Sequence, residues 1–190
     1  MPDVLSQNLP LAVGGGLIAL IALIIVVKSV HWIGSDQVGL VNKRFGKALP
    51  DGKLIAENGE AGYQPDLLMP GLRIKFWPLY GVSKHPWVQI PPGAIGVVVA
   101  QAGRPLPPGA KSALYSDVLG DFSNLRAFLS NGGQRGVQRP VLAPGTTLPL
   151  HPVAFIVATL GEVFGEILSQ GTEDELAQLP DSAFRVVNIS

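Results

Sequence analysis

Residues 9–27 read LPLAVGGGLIALIALIIVV, nineteen residues with no charge and no strongly polar side chain, closed by Lys28. Twelve of them are Leu, Ile or Val. At about 1.5 Å per residue a helix of this length covers roughly 28 Å, close to the hydrocarbon thickness of a bilayer. Each branched aliphatic favours insertion by a few tenths of a kcal/mol, and the three glycines Gly14, Gly15 and Gly16 give part of that back. The stretch is therefore expected to be a single membrane-spanning helix over residues 9–31. It would follow a short extracytoplasmic tail, residues 1–8, and carry a tethered domain over residues 32–190.

Working outward, the leading segment MPDVLSQN carries Asp3 and no Lys or Arg. A cleaved signal would need a basic leader, a shorter apolar core and a small-residue cleavage site. An uncleaved span is the better reading. Basic residues follow the span (Lys28, Lys43, Arg44 and Lys47) and none precedes it. That asymmetry puts the domain in the cytoplasm, with a bacterial inner membrane as the expected location. Trp32 suits the headgroup layer or, equally, the core of the following domain. The small-residue pairs Ala12/Gly16 and Gly15/Ala19 could bring two helices together, but glycine is also simply common in membrane helices.

The rest of the chain is rich in turn formers, with 23 Gly and 17 Pro in 190 residues and only 15% charged residues. This fits short strands joined by tight turns and does not suit a long coiled coil. Strands are expected at Val38–Phe45, Lys53–Ala56, Leu72–Trp77, Tyr80–Ile90, Ala94–Ala100, Val153–Thr159 and Phe184–Ile189. In Leu72–Trp77 apolar and basic residues alternate, as in a strand with one buried face. Ala94–Ala100 is apolar throughout, as in a strand covered on both faces. Asp121 is placed to cap a helix carrying Phe122, Leu125, Phe128 and Leu129 on one face. Thr172 and Glu175 have the spacing of a capping box. Arg139–Pro152 reads as a Pro-rich connection. The fold class is α+β: an N-terminal helix followed by a mixed, strand-rich domain.

Chemistry is sparse. The chain has no Cys, which excludes thiol catalysis and thiolate metal sites. Zero formal net charge leaves no footprint for nucleic acid. His31, His85 and His151 lie far apart, with no partner at metal-ligand spacing. Glu162 and Glu166 would share a helix face but lack a third ligand. Residues 131–136, Asn-Gly-Gly-Gln-Arg-Gly, could hold a phosphate, yet they lack the Gly-Lys-Ser/Thr of a P-loop and follow a helix where a P-loop precedes one. No catalytic, cofactor-binding or metal-binding residue is assigned, no cofactor is expected, and no small-molecule substrate is identified. A non-enzyme is expected. Lys28, Trp32, Lys43, Arg44, Arg73 and Lys75 are candidates for contact with a lipid surface, where each cation contributes about 1 kcal/mol. Ordinary solvated strand faces are the alternative.

One ordered series of short motifs has a family resemblance. It runs Asp36-Gln-Val-Gly-Leu-Val41, Arg44-Phe-Gly46, Gly59-Glu-Ala-Gly-Tyr-Gln64, Leu68-Met-Pro-Gly-Leu72, Trp77-Pro-Leu-Tyr80, Val88-Gln-Ile-Pro-Pro-Gly-Ala-Ile-Gly96, Phe128–Gly136 and Leu142-Ala-Pro-Gly-Thr146. Together it resembles the SPFH superfamily (stomatin, prohibitin, flotillin, HflK/C; also called band 7), most of all its bacterial flotillin-like members, over roughly residues 30–160. The resemblance implies an SPFH/band 7 domain beside a lipid bilayer. It also implies homo-oligomeric assembly and a scaffold that organises membrane microdomains or membrane proteins. The alternative it allows is a regulatory partner of a membrane protease, as in the HflK/C branch. Such proteins continue into a helical coiled-coil region, and this chain, stopping at Ser190 after an expected strand, is expected to lack it.

Overall fold

The computed structural model describes the backbone of residues 3–114, 116–119, 122–168 and 170–179, and their side chains except at 3–12, 170 and 175. The expected strand at 184–189 and the expected cap at Asp121 lie outside the described residues. The described fold is α+β, with three α-helices, eleven short strands and one 3-10 turn at Asp117–Leu119.

Helix α1 runs Asp3–Ser29 and passes without a loop into β1, Val30–Ile33. The expected membrane-spanning helix is not borne out: among the described residues, no helix is long and apolar enough to cross a membrane. The single-pass placement in a bacterial inner membrane, and the cytoplasmic orientation drawn from it, fall with that helix.

β1 pairs antiparallel with β4, Gly71–Ile74, in a two-stranded sheet. A three-stranded sheet follows, ordered β3-β2-β5 from Gly62–Tyr63, Gln37–Lys43 and Tyr80–Pro86. β6, Val88–Gln89, pairs with β9, Thr147–Leu148. The largest sheet is ordered β11-β10-β7-β8, from Val163–Phe164, Phe155–Ala158, Gly96–Ala100 and Gly136–Leu142. Every residue of β7 and β10 is buried, which matches the uniformly apolar reading of 94–100.

β8 runs into the passage read as a Pro-rich connection, overlapping it at residues 139–142. It pairs with β7 despite Pro140 because the register shifts between Val97 and Val99. Extra residues on the β8 side leave the ladder there, so the missing proline N–H costs no ladder hydrogen bond. The expected strand at 53–56 reduces to a bridge between Ile55 and Tyr63.

The core sits between this sheet and α2, Leu125–Ser130. Asn124 is the cap, its side chain accepting the Ala127 N–H at 3.0 Å. Phe122, Phe128 and Phe155 pack edge-on or tilted, with centroids 5.1 to 6.1 Å apart, a geometry that suits the aromatic quadrupole. Phe122 adopts φ +65° to join them. Two buried polar side chains tie segments to the core. Gln101 donates to the carbonyls of Val153 and Glu166 and accepts the Leu168 N–H. His151 accepts the Ala154 N–H on Nδ1 at 3.1 Å, and its Nε2 lies 3.0 Å from the Gln64 carbonyl. With Nδ1 accepting, Nε2 carries the proton. Burial pushes the His151 pKa down to about 4, because the interior penalises the charged form.

Helix α3 spans Gln170–Ala177. It begins two residues before Thr172, so the expected capping threonine lies within the helix, where it is buried.

Candidate functional site

The junction of α1 with β1 is held by one serine. Ser29, 6% exposed, donates its hydroxyl to the Ile25 carbonyl at 2.6 Å and accepts the Trp77 N–H at 3.0 Å. Its own carbonyl accepts the Lys75 N–H at 2.9 Å. The end of α1 is thereby fixed to the segment that leaves β4. The Trp77 ring adds a second tie, with Lys28 Nζ 4.8 Å and the Arg44 guanidinium 5.6 Å from its centroid. Lys75 lies 5.3 Å from the Tyr80 ring. Among the described residues Lys28, Arg44 and Lys75 form no ion pair, although Lys75 is close enough to Asp66 to help hold its pKa down.

β1 and β4 decide what that charge surrounds. The register sets Val30 opposite Ile74 and Trp32 opposite Leu72. Side chains alternate across a strand, so these four share one face. All four are exposed: Val30 42%, Trp32 68%, Leu72 57% and Ile74 72%. Phe76 follows, also exposed. The other face carries Ile33, which is buried over Gly39, and His31, whose Nε2 is buried without a hydrogen-bond partner. Burial first, and Lys84 second, hold the His31 pKa below its ordinary value. The expectation that the apolar face of Leu72–Trp77 lies buried is overturned. The face that packs on β2 is the one carrying His31 and Ile33, and Leu72 and Ile74 point away from it. The apolar face continues onto α1, where Val13, Leu17, Ile18, Leu20, Ile21 and others are exposed.

Of the six expected surface residues, four meet at this end. Lys28 and Arg44 share Trp77, Lys75 is tied to Ser29, and Trp32 lies on the exposed face. The other two are tied to backbone carbonyls. Arg73 donates to the Met69 and Pro70 carbonyls at 3.0 and 3.2 Å and closes the turn before β4. Lys43 donates to the Gly59 carbonyl. Ser29, Trp77, Leu72 and Ile74 were not singled out from sequence. The signal for the last two was present in the alternation, and only the direction of the face was misread.

Among the described residues, no group of three or more His, Asp or Glu is placed to hold a metal ion. His85 Nε2 is 3.2 Å from the Ser83 hydroxyl and 3.7 Å from the Glu166 carboxylate; both partners lie at the same ring nitrogen, so the imidazole does not relay a proton from one to the other through its two nitrogens. No family model matches the chain, and neither a curated protein nor a solved structure matches it. The assignments to band 7, flotillin-like and SPFH proteins therefore gain nothing from comparison, and the fold carries no family name.

Proposed function

We propose that the protein is a non-catalytic scaffold that works against a lipid surface. The outward face of β1 and β4 and the adjoining part of α1 lie on the interface, and the rest of the domain is left to gather partner proteins. The observation that carries this reading is the set Val30, Trp32, Leu72 and Ile74, four exposed apolar side chains on one face. A two-stranded antiparallel sheet ordinarily turns polar residues toward water, and a contiguous apolar patch marks an interaction surface. A lipid interface is the occupant that fits best, because the patch combines an indole, branched aliphatics and the cations Lys28, Arg44 and Lys75. This contact rests on the lipid and does not cross it. Homo-oligomeric assembly and membrane-protein clients are the further parts of the proposal, drawn from the SPFH resemblance alone.

Vesicle flotation tests the lipid contact. The protein should float with vesicles of phosphatidylcholine and phosphatidylglycerol, and less with phosphatidylcholine alone. The double variant Leu72→Ser/Ile74→Ser should bind at least about tenfold more weakly, since each buried aliphatic is worth about 1.5–3 kcal/mol. Equal flotation of parent and variant would sink the proposal.

A further inference from the structure

A second feature lies away from the lipid-facing end. A cleft of about 270 Å³ is lined by Leu54, Ile55, Ala102 and Leu129 and by the charged side chains of Lys53, Glu57, Arg104 and Arg135. Lys53 and Glu57 neutralise each other at 3.0 Å. Among the described residues neither Arg104 nor Arg135 has an ion-pair partner, so the cleft keeps two uncompensated guanidinium groups.

Both arginines are built in. The loop 131–136 is bridged to the loop around Arg104 by two backbone hydrogen bonds: the Arg104 N–H donates to the Gly133 carbonyl, and the Arg135 N–H donates to the Arg104 carbonyl, each at 2.8 Å. Glycine makes this approach possible. Gly103 holds φ +121°, and a Cβ there would stand 2.5 Å from the Gly133 carbonyl oxygen. A Cβ on Gly133 would stand 2.4 Å from the Phe128 ring. Neither position accepts a side chain without displacing its neighbour. The Arg135 guanidinium is then fixed by donation to the Gly103 and Gly52 carbonyls. That guanidinium has five N–H donors, and the two carbonyl contacts leave others free.

We propose that this cleft binds an oxyanion carried by a small soluble molecule with a short apolar stem, such as a phosphate monoester. The paired guanidinium groups take the anion in the manner of arginine–phosphate contacts. Leu54, Ile55, Ala102 and Leu129 cover the stem. The glycine-rich 131–136 segment thus meets an anion through its arginine and the arginine of a neighbouring loop, with no part of a P-loop geometry.

The test is calorimetric titration of the full-length protein with n-butyl phosphate and with inorganic phosphate. The expected result is saturable one-to-one binding of n-butyl phosphate, tighter than inorganic phosphate. Arg104→Gln should weaken it at least about tenfold, as expected for loss of a hydrogen bond between charged groups. Arg104 makes no side-chain hydrogen bond among the described residues, so this variant should keep the parent melting temperature. Arg135→Gln is the second variant, read only if its melting temperature is also retained. Flotation of Arg104→Gln separates a lipid headgroup from a soluble ligand. Unchanged flotation with lost n-butyl phosphate binding supports the proposal. Absence of saturable binding by the parent, equal binding by Arg104→Gln, or loss of flotation in Arg104→Gln without n-butyl phosphate binding by the parent would each overturn it.

Discussion

Strands β7 and β10 and strands β1 and β4 draw on the same kinds of residue, yet their apolar faces end in opposite places. Val98, Val99, Ile156 and Val157 are fully buried. Trp32, Leu72 and Ile74 are exposed, although their strands alternate cleanly. The difference is in what covers each sheet. The β7–β10 pair has further strands on both sides and the three phenylalanines against one face. Among the described residues the β1–β4 pair has no third strand, and it packs through one face only, the one carrying His31 and Ile33. An apolar face that the fold leaves uncovered is available to an outside surface, whereas one that it covers is spent on stability.

The largest expected effect on this comparison comes from the covered side. Phe128→Ala should cost about 3–5 kcal/mol, because the ring is fully buried between two others. Urea denaturation measures it, and a loss under 1 kcal/mol would show that the phenylalanine cluster is not the centre of the fold.

Acid sharpens the contrast next. The unfolded chain takes a proton on His151 near pH 6.5, and the folded chain only at about 4. More protons are bound by the unfolded state in that window, so stability is present above pH 6.5 and falls as the pH drops toward 4. The loss reaches about 3 kcal/mol. His31, also lowered, acts in the same direction. Denaturation midpoints at pH 7 and pH 4.5 check this, and His151→Gln should flatten most of the slope. An unchanged slope in that variant would place the acid-sensitive group elsewhere.

The smallest effect belongs to the uncovered side. Ile74→Ser should change stability by no more than about 0.5 kcal/mol, as an exposed substitution does. A loss above 1.5 kcal/mol in the lipid-free protein would mean that something already covers this face, and the comparison would break.

Several parts of this architecture were legible in advance. Uniform apolarity marked 94–100 as a strand buried on both faces, the strand expected at 38–45 overlaps β2, and the alternation in 72–77 marked the region of β4. β8, which runs into the Pro-rich passage 139–152, was not legible, because Pro140 argues against a paired strand unless a bulge removes it from the ladder; β9 within that passage was not legible either. Glycines 103 and 133 were visible as glycines. Their role was not, since it depends on Phe128 and on a loop about thirty residues away. The long apolar N-terminal run was legible as a helix, but its reading as a membrane crossing is overturned, since among the described residues no helix is long and apolar enough to cross a membrane.

Residue type by itself determined where the most apolar strands form, that thiol chemistry is excluded, and that the cations cluster after the N-terminal helix. Those properties are local, set by side-chain shape, backbone freedom and charge at each position. Tertiary structure alone decided which face of β1 and β4 looks outward, that Lys28 and Arg44 share one indole, and that Arg104 and Arg135 meet in one cleft. A side chain's surroundings are made by segments far away in the chain, and no local pattern records which of them will arrive.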